Sequence, residues 1–250
     1  MDFIEFGNRK INFEIKRGNR KKSVAINVHP TAAVTVLTPR HLDDEKIRMI
    51  IRKKARWIIE KQEQMERNRH SSPTKEFVSG ESFPYLGRHY RLKVIKSSKD
   101  VERKCRLVNG RFLVEVNENR DEEGKKVTVK RKLINWYLEH AKEKIGERIG
   151  RFGQQVGSWP ANIEIKNQER RWGSCSPNGN IRFNWKIVMA PISVMDYVVV
   201  HELCHLIHPH HSPHFWEKLQ SIIPDFKKRR KWLKDFSLQT DNLNLSLTLR

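Results

Sequence analysis

The residues of this chain best equipped for chemistry gather between 201 and 214, where His201, Glu202, His205, His208, His210, His211 and His214 lie close together. His201 and His205 are four apart, about 400° of helical rotation. On a helix both imidazoles therefore point to one side and can share one ion. A Zn²⁺ ion takes imidazole nitrogen at about 2.0–2.1 Å, and a catalytic site keeps three protein ligands and one open position. Glu202 follows the first of these ligands, so its carboxylate reaches a water acidified by the metal rather than the metal itself. That is the place of a general base. The expectation is one Zn²⁺ per chain, with another divalent metal as the alternative, His201 and His205 as ligands and Glu202 as the catalytic residue.

A third ligand has to follow. His208 is rotated by about 300° from His205 and is restrained by Pro209. Beyond Pro209 the backbone must turn, and Ser212-Pro213 reads as the N-cap and first position of a new helix. His211, just before that cap, is best placed to swing back; His210 is second, with His214 and His208 behind. A histidine-rich helix end with an accidental HExxH pattern is the competing reading. It is weakened by the apolar run around the motif, Tyr197 to Val200 and Leu203, because uncompensated polar groups in a core are costly and an ion supplies the compensation. Cys204 faces packing and reads as filler.

The elements that must hold these residues can be read outward from them. Ser193-Val194-Met195-Asp196 resembles a capping box and is expected to open the motif helix, which runs to His208. Upstream, Asn178-Gly179 marks a tight turn joining 171–175 to 181–185, with Trp172 and Trp185 facing each other as a packing pair. Arg170 and Arg171 are candidate substrate-binding residues for an oxyanion or phosphate. The 163–185 strands are candidates for pairing with an extended peptide. A long helix is expected from Val127, with Leu133, Trp136, Tyr137, Ala141, Ile145 and Ile149 as its apolar stripe, broken by Gly153 and Gly157.

The N-terminal half alternates. Segments 10–16, 25–28 and 34–37 have the period of half-buried strands, with a turn at Gly18-Asn19-Arg20. A helix follows from about 42 to 67, with Ile47, Ile50, Ile51, Trp57, Ile58 and Met65 on one stripe. Residues 68–76 look like a linker. Further strands include 90–94 and 112–116, with Asn109-Gly110 as a hairpin turn. The charged stretch 117–124 suggests the main boundary. Residues 1–120 are expected to form an N-terminal α+β region of strands with one long helix, and 121–250 the catalytic domain. No repeats stand out.

Composition sets the outer bounds. The 50 Lys+Arg against 29 Asp+Glu give a formal charge of +21, which favours polyanions, nucleic acid among them, as partners through a basic surface. The runs 16–22 and 227–231 are densest. The second reads as the exposed side of a helix whose Trp232, Leu233 and Phe236 pack inward, and no nucleic-acid motif accompanies either. Three cysteines do not describe a disulfide framework. With no apolar run of about 18 residues and no signal pattern, a cytoplasmic protein without membrane contact is expected.

The run His201 to Ser212, followed by Phe215-Trp216, resembles the YgjP-like family of metal-dependent hydrolases, which is placed among the zincin-like metallopeptidases and is related to the SprT and WLM proteins. Arg171-Trp172-Gly173-Ser174-Cys175 with Asn184-Trp185, and Gly87-Arg88-His89-Tyr90, carry the same resemblance. It implies an α+β fold with a zincin-like (minigluzincin-type) catalytic domain, a small sheet and an active-site helix. It also implies a third ligand six residues after the second, at His211, although the family commonly has Asn where His210 stands. Metallopeptidase is the activity usually given to the family, and UTP pyrophosphatase activity has been assigned within it. Three functions are therefore expected in order: a zinc metallopeptidase acting on polypeptide, a metal-dependent nucleotide pyrophosphatase, and a nucleic-acid-associated zinc protein. A purely structural site has no need of Glu202, which ranks the third last.

Overall fold

A computed structural model describes residues 2–19, 23–29, 31–71, 75–98, 103–168, 171–240, 243 and 245. The chain is α+β and divides into two units, Met1–Thr74 and Lys75–Arg250.

In the first unit, β1 (Asp2–Phe6) and β2 (Arg9–Gly18) form a hairpin closed by a turn with Gly7 at φ 59°; β3 (Ala25–Val28) and β4 (Val34–Pro39) follow. The sheet order is β1-β2-β4-β3, with β2 and β4 parallel. The turn expected after Gly18 therefore does not make β2 and β3 neighbours, and its Arg20 lies outside the described residues. Helix α1 (Asp44–Ser71) opens with Asp44 and Glu45, acids that complement its N-terminal dipole. Its buried stripe is Ile47, Ile51, Ala55 and Ile58, packed on Ile4, Ile11, Phe13, Val34 and Val36. Trp57 is 42% exposed, since it sits about 100° around the helix from Ile58 and Ala55 fills the seat facing the sheet. The side chain of Met65 lies outside the described residues.

The second unit repeats that strand plan. Its β5 (Ser82–Tyr85), β6 (Arg88–Ser97), β7 (Arg106–Val108) and β8 (Arg111–Asn117) have the order β5-β6-β8-β7, with β6 and β8 parallel. A long helix again follows, α2 (Glu122–Val156). Asn109 and Gly110, at φ 48° and 72°, form the expected hairpin turn. The α2 residues Leu133, Trp136, Tyr137, Ala141, Ile145 and Ile149 are all buried.

The boundary expected at 120/121 falls instead at 74/75. Phe83, Leu92, Phe112, Val114 and Val116 of the second sheet share one core with α2 and with later residues such as Phe183, Val199, Phe215 and Leu233, and the buried Tyr137 hydroxyl donates to the Pro84 carbonyl at 2.6 Å. The charged stretch 117–124, expected to hold the boundary, instead joins the end of β8 to the start of α2, where Asp121 caps the helix by accepting from the Gly124 amide. Gly153 does not break α2. It lies inside the helix, and the Trp159 ring occupies the space a Cβ there would need, at 2.6 Å, so the position calls for glycine. The helix ends at Gly157, which is left-handed at φ 82°.

Beyond α2 come β9 (Asn162–Lys166), β10 (Gly173–Cys175) and β11 (Asn180–Asn184), in the order β10-β11-β9, then a 3₁₀ turn (Trp185–Met189). The buried helix α3 (Ile192–Cys204) is followed by α4 (Pro213–Ile222) and α5 (Phe226–Thr240). Trp172 and Trp185 do not pair. The hairpin register sets Trp172 against Asn184, whose amide donates to the Trp172 carbonyl at 2.9 Å. Trp185 packs on Tyr137 and Trp172 on Phe236. Among the described residues no helix is long and apolar enough to cross a membrane.

The capping box expected at Ser193 is absent. Pro191 holds the cap position without a side-chain bond, and Asp196 turns to α2 instead, where Arg148 grips it with Nε–Oδ1 at 2.5 Å and Nη2–Oδ2 at 2.8 Å. Asp196 is only 8% exposed, so Arg148→Met should destabilise the fold by about 2–4 kcal/mol, the cost of a buried carboxylate left alone, reduced for partial exposure. Urea unfolding measures it, and Arg148→Met with Asp196→Leu should recover most of the loss.

Candidate metal centre

Helix α3 is apolar almost throughout, with Val194, Met195, Tyr197, Val198, Val199, Val200, Leu203 and Cys204 buried. It packs against α2, α4, α5 and β10. A helix so enclosed holds its polar side chains in fixed positions. His201 lies in its last turn, and His205 caps its C-terminus, so α3 stops short of the expected His208. Ser212 then caps α4, its hydroxyl accepting from the Phe215 amide at 3.4 Å, with Pro213 first in the helix. The intervening turn brings His211 back.

One ring nitrogen from each of His201, His205 and His211 lies within 4.8 Å of the other two. His201 Nε2 and His211 Nε2 are 3.0 Å apart, close to the roughly 3.3 Å expected of two nitrogens sharing one tetrahedral zinc. His205 Nδ1 is 3.1 Å from the His208 carbonyl oxygen. A carbonyl can only accept, so Nδ1 carries the proton and Nε2 keeps its lone pair for the triad. His201 Nδ1 is buried and, among the described residues, has no hydrogen-bond partner. Burial holds all three imidazoles below their ordinary range, His201 to about 3, and the neighbouring histidines add to this at His201 and His211. Neutral rings are what a cation requires, and the donor set fits a divalent ion.

Glu202 is 5% exposed and lies over β10. Burial pushes its carboxyl up to about 8, opposed by the positive charge of Arg171. A Cβ on Gly173 would sit 2.6 Å from Glu202 Cγ and Oε1, so only glycine leaves room for this carboxylate. Gly173→Ala should therefore lower activity about tenfold or more by displacing Glu202, while metal content measured on the purified protein stays at the wild-type level.

Of the sequence-derived candidates, the structure brings together His201, His205, His211 and Glu202, with Arg171 near enough to act on Glu202 electrostatically. Arg170 lies outside the described residues. His210 is exposed, while His208 and His214 face each other with ring centroids 6.4 Å apart. Three contributors were given no role at the site from sequence. Phe215, fully buried, lies 4.7–4.9 Å from each of the three imidazoles and forms an apolar backing. Trp216 stacks on His211 at 5.3 Å. Arg230 sits over the Trp216 ring and disfavours protonation of His201 and His211. The Phe-Trp pair at the start of α4 was a usable signal; Arg230 stood in the basic run 227–231, but nothing local tied it to the site.

The YgjP-like metallopeptidase domain matches residues 22–236. The chain belongs to the YgjP-like family. It is thus a metal-dependent hydrolase, and the family's chemistry implies a divalent metal. No curated protein matches the chain. Among solved structures, it has partial similarity to the metallopeptidase zymogen of Pyrococcus abyssi abylysin, at 21% identity over 40% of this chain and 90% of that one, with a TM-score of 0.31.

Proposed function

We propose that this YgjP-like protein is a zinc metallopeptidase. One observation carries the reading from hydrolase to peptidase: β10 is an edge strand of its sheet, and its Gly173 lies directly against Glu202. An extended peptide added to that edge would run past the carboxylate with its main chain held by backbone hydrogen bonds. His201, His205 and His211 would hold the ion. Zinc supplies Lewis acidity, making water acidic and polarising the bond to be cleaved. Glu202 takes the proton from the attacking water and delivers it to the leaving amine. Phe215 excludes water from behind the ligands, and Arg171 favours the charged form of Glu202. The free thiols of Cys105, Cys175 and Cys204 fit a reducing cytoplasm, which is part of the same proposal.

The test sets the zinc-loaded protein side by side on an unstructured polypeptide and on nucleoside triphosphates including UTP. New peptide N-termini without pyrophosphate release are expected. Pyrophosphate release with an intact polypeptide would replace this reading with the pyrophosphatase.

A further inference from the structure

Lys227, Arg230, Lys231 and Lys234 stand on α5 at i, i+3, i+4 and i+7, the spacing of a single helix face. All four are exposed, and among the described residues none is paired with a carboxylate. With Trp216 and Gln220 of α4 and Phe226 they line one groove of about 950 Å³. The groove adjoins the metal centre through Trp216, which stacks on His211 at 5.3 Å and lies 6.2 Å from His201. Like charges so spaced repel one another along a helix, and carboxylates laid along the groove would relieve that repulsion.

We infer that this groove is a specificity subsite of the peptidase proposed above, taking an acidic, Asp- or Glu-rich stretch of the polypeptide substrate. It rests on that reading for what is cleaved, not for what is bound. The four cations extend about 10 Å along the helix, and side chains on one face of an extended peptide recur every 6.6–6.8 Å or so. Two or three carboxylates therefore fall within reach of the stripe. Nucleic acid is the other polyanion to weigh. Single strands are held by cations together with aromatic faces open to stacking, and the indole here is already engaged by His211, by Phe226 at 5.4 Å and by Arg230. The groove thus offers charge without a free stacking surface, which suits carboxylates on a peptide better than bases.

The test uses full-length, zinc-loaded protein. Fluorescein-labelled oligoglutamate and oligoglutamine are titrated against Glu202→Gln protein, in which cleavage does not interfere, with and without Lys227→Gln, Lys231→Gln and Lys234→Gln. Circular dichroism verifies that the exposed replacements leave the helix intact. Oligoglutamate should bind more tightly than oligoglutamine, weaken with added salt, and lose about tenfold in affinity in the triple variant. Equal binding of the two peptides, or no change in the triple variant, overturns the inference. So does oligothymidylate of matched charge displacing oligoglutamate while itself binding far more tightly. In parallel, protein with Glu202 intact is given unstructured peptides with acidic or neutral flanks. If oligoglutamate binds as described but neither peptide is cut, the peptidase reading falls and the acidic-peptide groove stands. If both are cut at the same rate, the groove assignment falls and the peptidase reading stands.

Discussion

Glu202→Gln should abolish most turnover, by at least about a hundredfold, while the protein keeps its full complement of metal. General-base catalysis by a positioned side chain is worth about 10²–10⁴ in rate, and Gln has nearly the shape of Glu without the ability to take a proton. The seat left by Gly173 accepts either side chain, because the space is set by the missing Cβ and not by charge. Removing the carboxylate also removes a buried ionisable group, so the variant should be no less stable than the wild type. The comparison requires turnover on a peptide substrate and metal content from the same preparation. A Gln variant with undiminished turnover would show that Glu202 is not the base.

The parts of this site legible in the sequence are those fixed by local geometry. His201 and His205 share a helix side because the helical period is a property of any such segment, and Ser212-Pro213 announces α4 through capping chemistry alone. Contacts between distant segments were not legible. Asp196 looked like a capping-box acid because the spacing from Ser193 permits it, but its partner Arg148 lies on another helix, 48 residues away in sequence. Gly173 stood in the motif that carries the family resemblance, yet its reason, the Glu202 carboxylate above it, exists only once β10 packs on α3. The segment 117–124 reads the same whether it separates domains or caps a helix, and the core beneath Phe83 and Phe112 decides for the cap. The duplicated strand plan was hidden for a similar reason. Strand order and direction repeat between the two sheets, and Ile11, Phe13 and Ile15 of β2 match Tyr90, Leu92 and Val94 of β6 in spacing, whereas the residue types at those positions differ.

His211→Ala should weaken metal binding by more than about a hundredfold, whereas His210→Ala should leave it within about twofold. Loss of an outer-shell partner typically costs 10–100-fold in affinity, and loss of a direct ligand costs more. The two residues are adjacent in sequence, and a sequence argument can only rank them. In the structure the turn after Pro209 separates them. The Ser212 amide donates to the His210 carbonyl at 2.7 Å, locking the backbone just before the cap of α4, and the His211 ring is trapped between Trp216, stacked at 5.3 Å, and Phe215 at 4.8 Å. That clamp leaves Nε2 of His211 3.0 Å from Nε2 of His201, so position at the triad separates the two residues and exposure does not, since both are exposed. Competition of the purified variants with a zinc-sensitive chelating dye reads the two affinities directly. Equal losses would mean that the turn exchanges its two imidazoles at the ion, and a loss confined to His210→Ala would move the third ligand there. A loss confined to His211→Ala assigns it to the ring already held in place by α4, so the same helix that carries Phe215 beneath the triad also fixes its last member.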